Sequence, residues 1–415
     1  MYNITEIGKK AKAAAVRLAI IDTDVKNSAL LAMADALCAH SDYILAQNAL
    51  DIAVAKDNGI KEAMVDRLLL TEKRIADMAD GIRQVVRLPD PIGEVLGMVK
   101  RPNGLVVGKK RVPLGVIGII YESRPNVTAD AASLCIKAGN VTILRGGSEA
   151  INSNIAIASV MQKAGEDNGL PPNTINLVTD TSREVATQMM RLSGYIDVLI
   201  PRGGAGLIKT VVENANVPVI ETGTGNCHAY IDEYADFDMA RSIVINAKVS
   251  RPSVCNALES LLVHEKIAEN FLPLIIADLK ANNVEVRGCG KTRAICGDVT
   301  AATQDDWATE YNDCIIAVKV VADMNSAVDH ITTYGTKHSE TIVTDNYANA
   351  QTFLDVVDAA AVYVNASTRF TDGEMFGFGA EIGISTQKIH ARGPMGLTDL
   401  TSIKYVIYGS GQIRV

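Results

Sequence analysis

The stretch VPLGVIGIIYESRPNVTADAASLCIKAGNVTILRGG, residues 112–147, holds the reading that decides the fold. A short β-rich run at 115–121 gives way to a polar loop, a helical pattern over about 129–138, and a second run at 141–144. Two short runs joined by a helix of this length predict parallel strands with a crossover. The rhythm continues outward, with runs at 175–178, 198–200 and 218–220 and helical patterns at about 150–168, 182–192 and 204–215. It resumes past residue 225, where strands are expected near 258–263, 314–321, 340–344 and 359–364. The fold class is α/β, with two parallel-sheet lobes.

Towards the N-terminus the period changes. Residues 4–87 read as helices, with apolar positions at helical spacing in Ala29-Leu30-Met33-Leu37 and Ile75-Met78-Ile82-Val85. Thr71 suits a helix start, and Pro89 and Pro91 end the helical block. Residues 93–112 alternate around Pro102-Asn103-Gly104, a hairpin signal, and the tail at 401–408 alternates as a further strand. Unpaired edges of that kind are a liability in a monomer, so a homo-oligomer, at least a dimer, is expected.

Composition narrows the function. The 415 residues suit two to three domains, and the net charge of −8 argues against a nucleic-acid binder. Aromatic residues make up only 5%, too few for a base-stacking platform. Mean hydropathy is +0.13. The most apolar segment, 112–121, is broken by Pro113, Gly115 and Gly118, and it is too short for a membrane span of about 20 residues. The N-terminus carries no secretory pattern. Cysteines at 38, 135, 227, 255, 289, 296 and 314 are odd in number and lack CxxC spacing. They form neither a disulfide framework nor a zinc site, and cytoplasmic, reduced thiols are expected, one of them free to act as a nucleophile. Gly290-Lys291-Thr292 fails as a P-loop because Glu285 stands where its first glycine belongs, and His264-Glu265 lacks a second histidine at Ala268. No metal is expected.

Three places carry chemistry on their own residues. Cys255 sits in a short polar segment between a helix and an apolar strand, with Lys248 and Arg251 upstream; cations favour the thiolate. Asn126 follows a strand end, where open α/β sheets place ligands, although asparagine also suits a turn or a helix cap. Arg202-Gly203-Gly204 opens a helix after a strand, and helix N-terminal amides suit a pyrophosphate.

Five segments, ESRPNVTAD (122–130), GNVTILRGGSEA (139–150), VIETGTGNCHAYID (219–232), AKVSRPSVCNALESLLVH (247–264) and GEMFGFGAEIGIST (373–386), together resemble the aldehyde dehydrogenase superfamily. RPSVCN and the closing KIHARGPMGL more closely resemble the branch of it that reduces glutamyl 5-phosphate in proline biosynthesis. The resemblance implies an aldehyde-dehydrogenase-like fold of two Rossmann-like lobes. Residues 1–225, with part of 371–395, would bind the cofactor; 226–370 would carry the nucleophile; 93–112 and 396–415 would reach a partner subunit. The implied enzyme is an NADP-dependent oxidoreductase of the aldehyde group. It converts L-glutamyl 5-phosphate and NADPH to L-glutamate 5-semialdehyde, phosphate and NADP+, with a glutamate kinase as upstream partner.

By the same resemblance Cys255 is the nucleophile and the Asn126 amide donates to the oxyanion. Glu221, 34 residues before Cys255, either relays protons or shapes the site. Arg145 and Gly146 lie on the adenosine side. Ser148 stands where NAD-preferring relatives carry a glutamate, which points to NADPH. Arg202, Gly203 and Gly204 face the pyrophosphate, Glu374 the nicotinamide-side ribose, and Phe376 the ring. Arg392 leads the candidates for substrate anions, followed by Arg124 and Arg251. Another acylating or oxidising NAD(P)-dependent aldehyde dehydrogenase is the alternative, and ESRPN and RPSVCN speak against it.

Overall fold

Short polar side chains start the N-terminal helices. Asn3 Oδ1 accepts from the Glu6 N–H at the head of Ile4–Leu18, and Thr71 Oγ1 accepts from the Arg74 N–H at the head of Glu72–Arg87. Helices Thr23–Ala39, Ser41–Asp57 and Glu62–Leu68 lie between them. The computed structural model describes residues 3–60 and 62–414. They fall into two units. The first holds the chain up to Thr222, Gly377–Gly383 and the segment from Met395 onward; the second holds Gly223–Phe376 and Ile384–Pro394.

The first unit is built on four parallel strands in the order Ile175–Leu177, Val141–Arg145, Val116–Tyr121, Val198–Arg202. Val116–Tyr121 is buried along its whole length, which suits a central strand covered on both faces. Its start is fixed by Asp197, whose Oδ2 accepts the Val116 N–H at 2.8 Å. Gly115, at φ +125°, lies so close to that carboxylate that any side chain would overlap it. The stretch 218–220 does not extend this sheet as a strand. It makes one bridge, Val219 to Leu199, and Pro218 offers only its carbonyl.

The second unit carries seven parallel strands. Their order is Thr300–Ala301, Glu285–Gly288, Ile315–Val321, Leu258–His264, Cys227–Ile231, Ser339–Val343, Ala361–Val364. Helices Phe237–Val249 and Glu265–Ala281 pack one apolar cluster around Phe271 and Leu261, while a second, around Tyr230 and Phe353, includes Ala327 and Ile331 of helix Met324–Tyr334. Cys227–Ile231 and Glu285–Gly288 were not expected as strands. The first carries His228, whose N–H and Nδ1 meet Glu340 Oε2 at 2.7 and 3.0 Å inside the core. A buried polar pair of this kind interrupts the apolar run.

Val95–Lys100, Val106–Pro113 and Thr401–Tyr408 form an antiparallel sheet that belongs to the first unit. Arg101 N–H donates to Leu105 O at 2.7 Å across the Pro-Asn-Gly turn. Both edge strands show apolar residues to solvent. Val95, Leu96, Met98 and Val99 on one, and Ile403, Tyr405, Ile407 and Tyr408 on the other, are 41–63% exposed. No single helix among the described residues is long and apolar enough to cross a membrane.

Candidate active site

Cys255, half-buried, lies in the loop between helix Phe237–Val249 and strand Leu258–His264. Its own carbonyl accepts from Cys227 Sγ at 3.2 Å, and Gly225 backs onto the same carbonyl so closely that a Cβ would collide with it. The next residue, Asn256, is anchored at every polar side-chain atom. Its Nδ2 donates to the carbonyls of Thr371 (2.9 Å) and Arg369 (3.3 Å), its Oδ1 accepts from Arg369 Nη1, and its backbone oxygen accepts from Thr368 Oγ1 at 2.7 Å. The RPSVCN sequence thus produces a pre-set loop rather than a mobile one, which is what a positioned nucleophile requires. Gly225→Ala is expected to displace that loop. Overpacking costs about 1–3 kcal/mol of stability, and misplacing a reacting group costs about 10²-fold in turnover. Urea unfolding and steady-state rates on one preparation check both, and a wild-type rate would refute the contact's importance.

The cations differ from expectation. Lys248 is buried and its Nζ lies 2.6 Å from Glu259 Oε2, an ion pair the sequence reading did not foresee. Burial pushes Glu259 up to about 7, against the pull of Lys248. Arg251 is exposed. Arg369, which the sequence reading missed, donates from Nε to Ser250 Oγ at 3.1 Å as well as to Asn256. Burial and then the nearby Arg251 lower its pKa, while Asp372, Cys255 and Cys227 favour its charged form. Its place shortly before the GEMFGFG motif was the available signal.

The other thiols do not behave alike. Burial pushes Cys135 up, and Cys227 well up with help from Glu340. Cys289 is the exception: burial raises it, but the hydroxyl and N–H of Thr292 and the Val320 N–H outweigh this and hold it below the ordinary value. Arg392 Nη2 and Lys388 Nζ each lie 2.8 Å from Asp358 and hold that carboxylate down at about 2. Glu374 and Phe376 are both exposed, and their N–H groups donate to Asp372; both belong to the second unit.

The remaining candidates lie in the first unit. Asn126 is the first residue of helix Asn126–Lys137, whose cap position is Pro125, so a capping role is set aside. One of its amide hydrogens goes to Asp130 Oδ2 at 2.8 Å. Burial pushes Asp130 up to about 6, against the pull of Asn126 and Arg202. Just before it, Ser123 adopts φ +39°, a sparsely populated backbone state that its N–H and Oγ secure by donating to Glu149 Oε1, both at 2.7 Å. Arg124 is exposed. Glu221 is half-buried in the extended segment beside strand Val198–Arg202.

Arg145 donates from Nη2 to Thr181 O, and its Nε is buried with no hydrogen-bond partner. Burial lowers its pKa, opposed by Glu149, Asp180 and Glu122. Gly146 is explained by packing, since a Cβ there would overlap the Asn154 amide. Ser148 opens the short turn Ser148–Ala150. At the head of helix Ala205–Asn214, Gly204 N–H donates to Glu122 Oε2 at 3.0 Å, and the same carboxylate crowds Gly203. That helix end holds an anion supplied by the chain itself. The orphaned Arg145 donor and the anion-accepting helix end fit an anionic dinucleotide, with Glu122 as the group it would displace. Among the described residues no cluster of His, Cys, Asp or Glu is placed to hold a metal.

Residues 2–311 match the profile of the aldehyde dehydrogenase family. The gamma-glutamyl phosphate reductases of Carboxydothermus hydrogenoformans and Clostridium botulinum are 61% and 62% identical; the first match covers all of both chains, the second 98% of each. The crystal structure of gamma-glutamyl phosphate reductase from Thermotoga maritima is 51% identical over both full chains, with a TM-score of 0.98. An acetylating aldehyde dehydrogenase from Geobacillus thermoglucosidasius, 19% identical with a TM-score of 0.71 over all of this chain and 98% of its own, shares the fold. The resemblance carried by RPSVCN and KIHARGPMGL is borne out, and this chain belongs to the aldehyde dehydrogenase family.

Proposed function

We propose that the chain reduces L-glutamyl 5-phosphate to L-glutamate 5-semialdehyde with NADPH, releasing phosphate, through a thioester on Cys255. The observation that carries this is the anchored Cys255 loop, in a chain similar over its full length to enzymes named gamma-glutamyl phosphate reductase. Cys255 attacks as thiolate: the S–C bond forms, the C–O bond to the phosphate breaks, and its electron pair leaves on phosphate. Thiolate suits both halves of the cycle because it is a good nucleophile and a good leaving group. With one amide hydrogen tied to Asp130, Asn126 keeps the other for the oxyanion. Glu221 is a relay or a shaping residue, since activating water would waste the thioester.

A nicotinamide cofactor, when bound, supplies the hydride. Arg145, Gly146, Ser148, Arg202, Gly203, Gly204, Glu374 and Phe376 would hold it. The NADPH preference rests on Ser148 beside Arg145, with the Glu149 carboxylate turned to Ser123. Two unit charges 4 Å apart interact by about 4 kcal/mol at an effective dielectric near 20, an upper figure that salt reduces. Ser148→Glu is therefore expected to lower the NADPH-to-NADH ratio of kcat/KM by about tenfold or more. An unchanged ratio would show that the 2′-phosphate is read elsewhere.

The reaction itself is tested by coupling the protein to a glutamate kinase with ATP and glutamate. NADPH oxidation matched by phosphate release supports it; oxidation only with acyl-CoA substrates would favour another acylating aldehyde dehydrogenase. Cytoplasmic residence suits this chemistry. The exposed apolar edges of the three-stranded sheet suit a homo-oligomer. Light scattering is expected to give at least twice the 44.3 kDa chain mass, and a concentration-independent monomer would refute it.

A further inference from the structure

Arg369 is left without a task by the reaction above, yet it stands at the nucleophile's loop. It comes from the short turn Thr368–Phe370 and reaches Ser250 on one side of Cys255 and Asn256 on the other. Both acceptors are neutral oxygens. Among the described residues no carboxylate is in ion-pair contact with Arg369 or Arg251, whereas Arg392 and Lys248 are each paired. Arg251 lies close enough to disfavour the Arg369 charge, and Arg369 is within electrostatic range of Cys255. Two neighbouring guanidinium groups cost free energy unless anions share the place; Asp372 supplies part of that compensation for Arg369, and a thiolate or a phosphate would add to it.

We propose that Arg369, with Arg251, forms a cationic cradle at Cys255 that holds the sulfur as thiolate before attack and receives the phosphate that departs from the acyl carbon. As the S–C bond forms and the C–O bond breaks, negative charge passes from sulfur to the phosphate oxygen. One guanidinium pair can serve both states. The second half of the proposal rests on the reaction given above; the first half does not.

The test is alkylation of Cys255 by iodoacetamide across pH, read by mass spectrometry of its peptide, with Cys289 in the same digest as control. In Arg369→Gln the pH midpoint at Cys255 is expected to rise by about one unit. Arg369→Lys should restore most of that shift, because it returns the charge without the forked contact to Asn256. A folded Arg369→Gln protein with an unchanged midpoint overturns the proposal. Because Arg369 also anchors Asn256, a wild-type measurement guards against loss of folding. Inorganic phosphate should slow Cys255 alkylation several-fold more than chloride at matched ionic strength, and less so in Arg251→Gln. Equal effects of phosphate and chloride on wild type overturn the cradle. If the kinase-coupled assay shows no turnover while the midpoint shift and phosphate protection persist, the substrate reading fails and the cradle stands.

Discussion

Cys255→Ala is expected to abolish acyl-phosphate reduction, by about 10⁴-fold or more, while the fold stays intact. On the proposed thioester path the loss is large because that path disappears entirely: neither water nor a neighbouring thiol replaces the sulfur. Cys227 Sγ donates to the Cys255 carbonyl, but burial raises that thiol far above the ordinary range and leaves it protonated. The fold should survive because Cys255 is only half-buried, and the loop is held through main-chain atoms and Asn256, which the substitution leaves in place. Single-turnover NADPH oxidation and a urea melt on the same preparation check both halves. Near-normal turnover would remove the thioester from the mechanism.

Asn126→Ala should lower kcat by about 10²–10³-fold, equivalent to about 2.7–4 kcal/mol of barrier, with a much smaller change in KM. An oxyanion donor acts on charge that develops only in the transition state, so its loss appears in turnover rather than in binding. The side chain also bonds Asp130, which separates this prediction from a purely structural one. If Asn126 served only to hold Asp130, Asp130→Ala would reproduce the full defect. A kcat within a few-fold of wild type in Asn126→Ala would withdraw the oxyanion role.

The four-stranded sheet was legible because its strands, VIGIIY, VTILR and VLIPR, are apolar almost throughout and separated by helices of standard length. The N-terminal helices were legible for a similar reason, with Thr71 marking a start that its hydrogen bond to Arg74 N–H provides. Cys227–Ile231 was not, although it lies inside the seven-stranded sheet. His228 is compensated there by Glu340, which is 112 residues away in the chain, and no local pattern announces such a partner. The active-site cations failed on the same ground. Lys248 is near Cys255 in sequence, but its helix directs it at Glu259, while Arg369 reaches Asn256 from 113 positions on. The loop that carries Cys255 was legible because its motif is contiguous. What surrounds it comes from segments that only tertiary structure gathers.

The pairing of Thr401–Tyr408 with Val106–Pro113 has a consequence for synthesis of the chain. Thr401 lies opposite Pro113 and Tyr408 opposite Val106, so the sheet closes only after the whole intervening stretch, 114–400, has been made. At 5–20 residues per second, roughly 15–60 s separate the appearance of the two strands at the ribosome. Throughout that interval the nascent chain presents one side of Val106–Pro113 without its strand, an edge open to pairing with another polypeptide. Synthesis of Thr401–Tyr408, rather than emergence of the first two strands, is the event that allows this sheet to close.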